Sequence, residues 1–386
     1  MANREIIIVG GGMVGALSAL LLAKQGNTLH LIEKSPVIMP QQDDAFDLRV
    51  SAFSEQSKRL LEEAGVWQDI PLDRLCAYQG LQTWEKGSQK LLFSSTDIGA
   101  EQLGYIAENR WIQAVLWQRL KQLPNVHFYE NTQVMSIEQN EAQVTITLSE
   151  QRTISAELLL ACDGANSGVR NHLQIPVTRW DYRQHCLLIN ITTDCPQQKV
   201  TWQEFRETGP CAFLPLAANN ASLVWYHSPQ KIKHLQSLTN QQLKQTILAE
   251  FPKLDFDFEV QAKGGFPLIR RHAQYYYQGR VVLLGDAAHT INPLAGQGVN
   301  LGFKDVQCLV ELLTLCSDLS IAEILKRYQC QRRPANLLMQ TGMDVFYKVS
   351  KSDSQLLRIL RKGFLGVAQQ SGQVKNRVMR YAMGIN

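Results

Sequence analysis

The stretch that most limits the possible folds is Ile6–Val9 followed by Gly10-Gly11-Gly12-Met13-Val14-Gly15. Ile6–Val9 is a short, continuous apolar run ending at glycine, the pattern of a buried parallel strand. Ala16–Lys24 reads as a helix, and Thr28–Ile32 as a second strand that ends at Glu33. Strand, Gly-x-Gly-x-x-Gly turn, helix, strand and terminal acid are the parts of a dinucleotide-binding unit. Gly10, Gly12 and Gly15 permit the tight turn and a close approach to pyrophosphate, and Glu33 accepts a ribose hydroxyl. A glutamate there disfavours a ribose 2′-phosphate, so FAD or NAD is expected rather than NADP.

Two more apolar runs end in an acid. Leu158–Ala161 leads into Cys162-Asp163-Gly164-Ala165-Asn166-Ser167-Gly168-Val169-Arg170, and Val281–Leu284 into Gly285-Asp286-Ala287-Ala288-His289. Together with the glycine turn, Asp163 and Asp286 suggest one extended dinucleotide held along its length. Pro293 then interrupts regular structure, Gly296 and Gly298 let a backbone approach a flat ligand, and Val299 onward begins a helix. Such a helix N-terminus offers free N–H groups to an electron-rich ring edge. Arg49 reads equally as a ligand for a phosphate or flavin edge and as a surface arginine. An amphipathic helix is expected from about Ser54 to Ala64, and another over Trp111–Leu123, opened by Asn109.

Between Gln184 and Phe266 the pattern changes to strand-like runs at Cys186–Thr192, Gln203–Phe205, Ala212–Leu216 and Ser222–Tyr226, with a short helix at Gln241–Phe251. These predict a mainly antiparallel sheet inserted into the nucleotide domain. Leu81–Phe93 adds a pair of strands, and Gln143–Leu148 with Arg152–Ala156 a hairpin. Phe213, Pro215, Trp225 and Tyr226 are the candidate substrate-pocket residues, although aromatic residues in strands are usually core. Beyond Gly302 the chain reads as helical. From Lys351 onward a single acid, Asp353, faces seven basic residues interleaved with leucines, an amphipathic and basic tail. Such a tail suits packing on the domain or on a second subunit, and equally the surface of a membrane or a partner.

The chain's 386 residues suffice for two intertwined domains. A net charge of +4 is too small to make nucleic acid the main partner. The eight cysteines include no Cys-x-x-Cys pair, so no metal site is read from them, and scattered thiols suit a reducing cytoplasm. No apolar stretch is long enough to span a bilayer.

With these stretches placed, the sequence resembles the flavin-dependent aromatic hydroxylases of the para-hydroxybenzoate hydroxylase type. Three signatures stand in order: Gly10-x-Gly12-x-x-Gly15, Asp163-Gly164-x-x-Ser167-x-x-Arg170, and Gly285-Asp286-Ala287-Ala288-His289, the last continuing through Pro293-Leu294-Ala295-Gly296-Gln297-Gly298-Val299-Asn300. Within that group it is similar to the ubiquinone-biosynthesis hydroxylases, and most to the branch acting on demethoxyubiquinol. That finer likeness rests on Leu103-Gly104-Tyr105-Ile106-Ala107-Glu108-Asn109, Phe213-Leu214-Pro215-Leu216, Ala221-Ser222-Leu223-Val224-Trp225-Tyr226, Phe266-Pro267-Leu268-Ile269-Arg270-Arg271-His272-Ala273 and Met339-Gln340-Thr341-Gly342-Met343-Asp344.

The resemblance implies an α/β fold: a Rossmann-like FAD-binding domain (residues 1–70, 104–178 and 274–345), a β-sheet substrate domain (71–103 and 179–273) and a helical C-terminal tail (346–386). It gives the FAD pyrophosphate to the Gly10–Gly15 turn, the adenosine ribose to Glu33 and the ribitol chain to Asp286. Backbone N–H groups of Gly296, Gly298, Val299 and Asn300 would face the pyrimidine edge of the flavin. Asp163 would support the cofactor region, and Asn109 stands where many relatives carry a longer Arg or Gln that touches the cofactor.

The implied reaction hydroxylates a prenylated quinol with molecular oxygen through a flavin C4a-hydroperoxide, with electrons from NAD(P)H or another donor. His289 and Pro293 are the candidate catalytic positions, and His289 reads more readily as a loop histidine that merely holds its turn. A sister hydroxylase acting at another ring position and a hydroxylase of a soluble phenol remain alternatives. Expected partners are other ubiquinone-biosynthesis proteins and the inner membrane, contacted peripherally from the cytoplasm; a homo-oligomer is a further option.

Overall fold

In the computed structural model, residues 3–85, 87–292, 296 and 298–351 are described. Pro293 and the tail beyond Lys351 lie outside them, so the expectations attached to those positions are not addressed by the structure. The fold is mixed α/β. Its first layer is a six-stranded sheet in the order Tyr277–Gln278, Val281–Leu283, Leu158–Ala161, Glu5–Val9, Thr28–Glu33, Val126–Glu130. Every neighbouring pair is parallel except the first. The continuous apolar runs have the expected cause: Ile6–Ile8 and Leu158–Leu160 are fully buried, so no position along them needs a polar side chain. The helix Met13–Lys24 packs between that sheet and the helices Asn109–Leu120 and Gly298–Leu315.

The second large layer is an eight-stranded sheet: His289–Thr290, Phe258–Ala273, Val177–Thr193, Asn220–His227, Cys211–Pro215, Val200–Phe205, Gly80–Glu85, Leu91–Ser94. It is antiparallel apart from the pairing of Val200–Phe205 with Gly80–Glu85. The helices Pro229–Ser237 and Asn240–Glu250 cover one of its faces, where Phe213, Trp225 and Phe251 share a core with Ile232, Leu243 and Ile247. Two three-stranded sheets complete the fold: Thr153–Ala156, Val144–Leu148, Val134–Gln139, and Val50–Ser54, Gly104–Glu108, Leu75–Tyr78.

Two long strands join the halves. Val177–Thr193 and Phe258–Ala273 pair from Val177↔Ala273 to Thr193↔Phe258, with register shifts after Asp181 and Asn190. The last described helix, Ile321–Lys351, is tied to both strands by Asp344, which accepts from Tyr182 and Arg270. No helix among the described residues is long and apolar enough to cross a membrane.

Candidate functional site

The glycine turn is locked by close packing. Gly10 has φ +102°, and a Cβ there would lie 2.4 Å from the Cys162 carbonyl oxygen. At Gly15 it would lie 1.9 Å from the Gly10 oxygen, so this glycine seats the helix on the sheet and does not line the site. Gly12 differs: a Cβ there would meet nothing within 4 Å. It is the N-terminal cap of Met13–Lys24, whose first turn contains no acid, and it faces a cavity. Glu33 accepts the Gly11 N–H at 2.6 Å and the Ser35 N–H at 2.9 Å, leaving lone pairs on both oxygens for a ligand.

That cavity, of about 2890 Å³, is continuous from the glycine turn to the uncovered face of the eight-stranded sheet. Gly10, Gly12, Glu33, Arg49, Asn109, Asp163, Asp286, Gly296, Gly298, Val299 and Asn300 all line it. The fold brings Arg49 and Asn109 together through the Asn109 N–H, which donates to the Arg49 oxygen at 2.9 Å. Fully buried Glu108 fixes this corner by accepting the Asp47 N–H at 2.7 Å, Arg74 at 3.3 Å and Arg110 at 2.8 Å.

The second and third motifs also meet. Arg170 donates to the Ala287 oxygen at 2.8 Å and the Ala165 oxygen at 3.0 Å, while Asp163 Oδ2 accepts the Val169 N–H at 3.1 Å. Asp286 opens onto the cavity. Enclosure by the surrounding protein raises its carboxyl above the usual value, against the pull of His289, Arg49 and Arg271. The Asn300 side chain is a clasp: it accepts from the Ser54 N–H at 3.0 Å and the Ser57 hydroxyl at 2.6 Å and donates to the Ala52 oxygen at 2.8 Å.

Other candidates lie elsewhere. His289 does not line the cavity; it is buried and donates from Nε2 to Asp305 Oδ2 at 2.6 Å. Of its two readings, the geometry supports the histidine that holds the turn. Phe213, Pro215 and Trp225 do not line the cavity either, whereas Tyr226 does, with Ala212, Leu214 and Val224. The reason is strand alternation: odd positions here look toward the helices and even positions toward the cavity.

Three residues that matter were missed in the sequence. Asp305, a lone acid among Phe303, Val306 and Leu309, accepts from His289, from Gly285 N–H at 3.1 Å, from Arg332 at 2.7 Å and from Asn336 at 3.0 Å. Burial pushes its carboxyl up, but these partners outweigh it and hold it down at about 2. Gln113 and Trp117 both donate to the Gly11 oxygen, at 2.8 and 2.7 Å. Their spacing of four on a helix puts them on one face, a signal available in the sequence.

A family model described as an FAD binding domain matches residues 3–340. The chain is 40% identical to the 3-demethoxyubiquinol 3-hydroxylase of Escherichia coli K12, covering 99% of this chain and 98% of that one. It is 29% identical to the mitochondrial ubiquinone biosynthesis monooxygenase COQ6 of Danio rerio, covering 98% and 89%. The fold is that of p-nitrophenol 4-monooxygenase PnpA from Pseudomonas putida, with a TM-score of 0.80 at 19% identity and 99% coverage of both chains. The residues present fit FAD: Gly12 is open to the cavity, and Asp163 Oδ1 and Asn109 Oδ1 are buried without a partner among the described residues. Three motifs converging on one such cavity, and a family match along most of the chain, make this protein a member of the FAD-dependent monooxygenase family.

Proposed function

We propose that this enzyme hydroxylates the ring of demethoxyubiquinol, using molecular oxygen and electrons from NAD(P)H or another donor. The observation that carries the reading is the continuity of the cavity. One end holds the glycine turn, and the other is an apolar sheet face that includes Leu188, Leu214, Val224, Tyr226 and Leu268. FAD, when bound, activates oxygen for transfer to an electron-rich ring. The chain's own part is to orient and enclose. Gly12 and the first turn of Met13–Lys24 receive the pyrophosphate, Glu33 the adenosine ribose and Asp286 the ribitol hydroxyls. The apolar sheet face aligns a prenylated ring and excludes water from it. The 40% identity to the Escherichia coli enzyme favours demethoxyubiquinol over a soluble phenol.

Mass spectrometry of quinones from cells lacking the gene tests this reading. Demethoxyubiquinone should accumulate and disappear when the gene is restored. Accumulation of an earlier prenylphenol would assign a sister hydroxylation, and unchanged ubiquinone in cells with no redundant enzyme would favour a soluble phenol. The ribitol role has its own test. Asp286→Ala removes a charged acceptor, a loss of roughly tenfold to a hundredfold in FAD affinity, read from the flavin retained on purification. Full retention with normal turnover would overturn that role.

A further inference from the structure

We infer that Gln113 and Trp117 are positioning residues for the cofactor pyrophosphate, acting through the peptide that joins Gly11 to Gly12. The inference rests on FAD binding and not on which ring is hydroxylated. Gly11 is held on both sides: its N–H donates to Glu33 Oε2 at 2.6 Å, and its carbonyl accepts from Gln113 Nε2 and Trp117 Nε1. The Trp117 ring also fills the space beside Gly11, where a Cβ would come within 2.4 Å of it. Trp117 itself is 1% exposed and packs at a tilt against Phe128, with ring centroids 5.3 Å apart, so the donor is fixed.

A trans peptide is planar, with its C=O and N–H on opposite sides, and the described residues contain no cis peptide. Drawing the Gly11 carbonyl into the helix Asn109–Leu120 therefore turns the Gly12 N–H away from that helix. No protein acceptor takes that N–H among the described residues, and Gly12 lies on the cavity wall. Glycine on both sides of this peptide would otherwise let it rotate cheaply. A flipped peptide would present its carbonyl dipole to the pyrophosphate, turning attraction into repulsion. Two donors from one helix face hold the attractive orientation before the cofactor arrives.

The test uses Trp117→Phe, which keeps an aromatic ring against Phe128 but removes the donor, and Gln113→Leu, which removes the other donor at similar size. FAD affinity of the apoprotein is measured by flavin fluorescence, and competition by ADP is compared with competition by adenosine, which lacks the diphosphate. The double variant should bind FAD and ADP at least tenfold more weakly while its affinity for adenosine changes less than twofold. The phosphorus resonances of bound FAD should shift. Equal loss for ADP and adenosine would assign the pair a merely structural role and overturn the inference, as would FAD affinity within twofold of the parent. If the double variant does not fold, Gln113→Leu alone is measured against the same two outcomes.

Discussion

Asp305→Ala should destabilise the protein by about 3–5 kcal/mol at neutral pH, the cost of removing one partner from a buried ionic cluster. The carboxylate is fully buried, and its removal takes one shared acceptor from His289, Arg332, Asn336 and the Gly285 N–H. Gly285 immediately precedes Asp286, so the loss also loosens the turn that presents Asp286 to the cavity, and FAD retention should fall with stability. Asp305→Asn separates charge from shape. The folded carboxyl sits at about 2, against a usual value of 3.8. Its stabilisation is therefore complete above the unfolded value and is lost as the pH falls through about 2. Urea midpoints measured between neutral pH and pH 2 should show this acid-side loss in the parent and a flatter profile in Asp305→Asn. A parent-like midpoint for Asp305→Ala would show that the cluster contributes little.

Gly15→Ala should be comparably severe for a different reason. Its methyl group would lie 1.9 Å from the Gly10 oxygen and 3.0 Å from the Cys162 Cβ, between the first helix and the sheet. Overpacking against backbone has no flexible side chain to absorb it, and a cost of about 3 kcal/mol or more is expected. Gly12→Ala is the informative counterpart. Gly12 has φ −65° and ψ 179°, a conformation open to any residue, and its new methyl would meet no protein atom. The Gly12 variant should therefore fold with a parent-like thermal midpoint yet bind FAD poorly, because the methyl occupies the space of the ligand. Soluble, stable Gly15→Ala protein retaining flavin would refute the packing role of that residue.

These two glycines show what was legible in the sequence and what was not. The parallel strands were readable because burial on both faces forces continuous apolar runs, and the three motifs because each ends such a run. The strand Phe258–Ala273 was not readable. Its middle carries Lys263-Gly264-Gly265, which looks like a turn, yet those glycines answer to close neighbours: a Cβ would lie 2.9 Å from Leu48 at Gly264 and 3.0 Å from Gln236 and Ile232 at Gly265. The substrate-side residues were half legible. Strand alternation separates Phe213 from Leu214 and Trp225 from Tyr226, but both faces of those strands are apolar, so hydrophobicity could not say which face meets the cavity. His289 was left with two readings because its partner, Asp305, sits on the next helix and becomes its neighbour only when that helix packs.

The order of strands in the six-stranded sheet has a consequence for biogenesis. Leu158–Ala161 lies between Glu5–Val9 and Val281–Leu283, with the long excursion of the eight-stranded sheet in the intervening chain. A ribosome releases the chain from its N-terminus, so the segment that closes this edge is synthesised after nearly all of the sheet domain. Until Val281–Leu283 emerges, Leu158–Ala161 offers an apolar strand with an open ladder of hydrogen-bonding groups. Sheets completed by distant segments also form slowly. The nascent enzyme thus passes through a period in which a wholly apolar strand is an adhesive edge, and translation pauses within residues 162–280 should favour aggregation over folding.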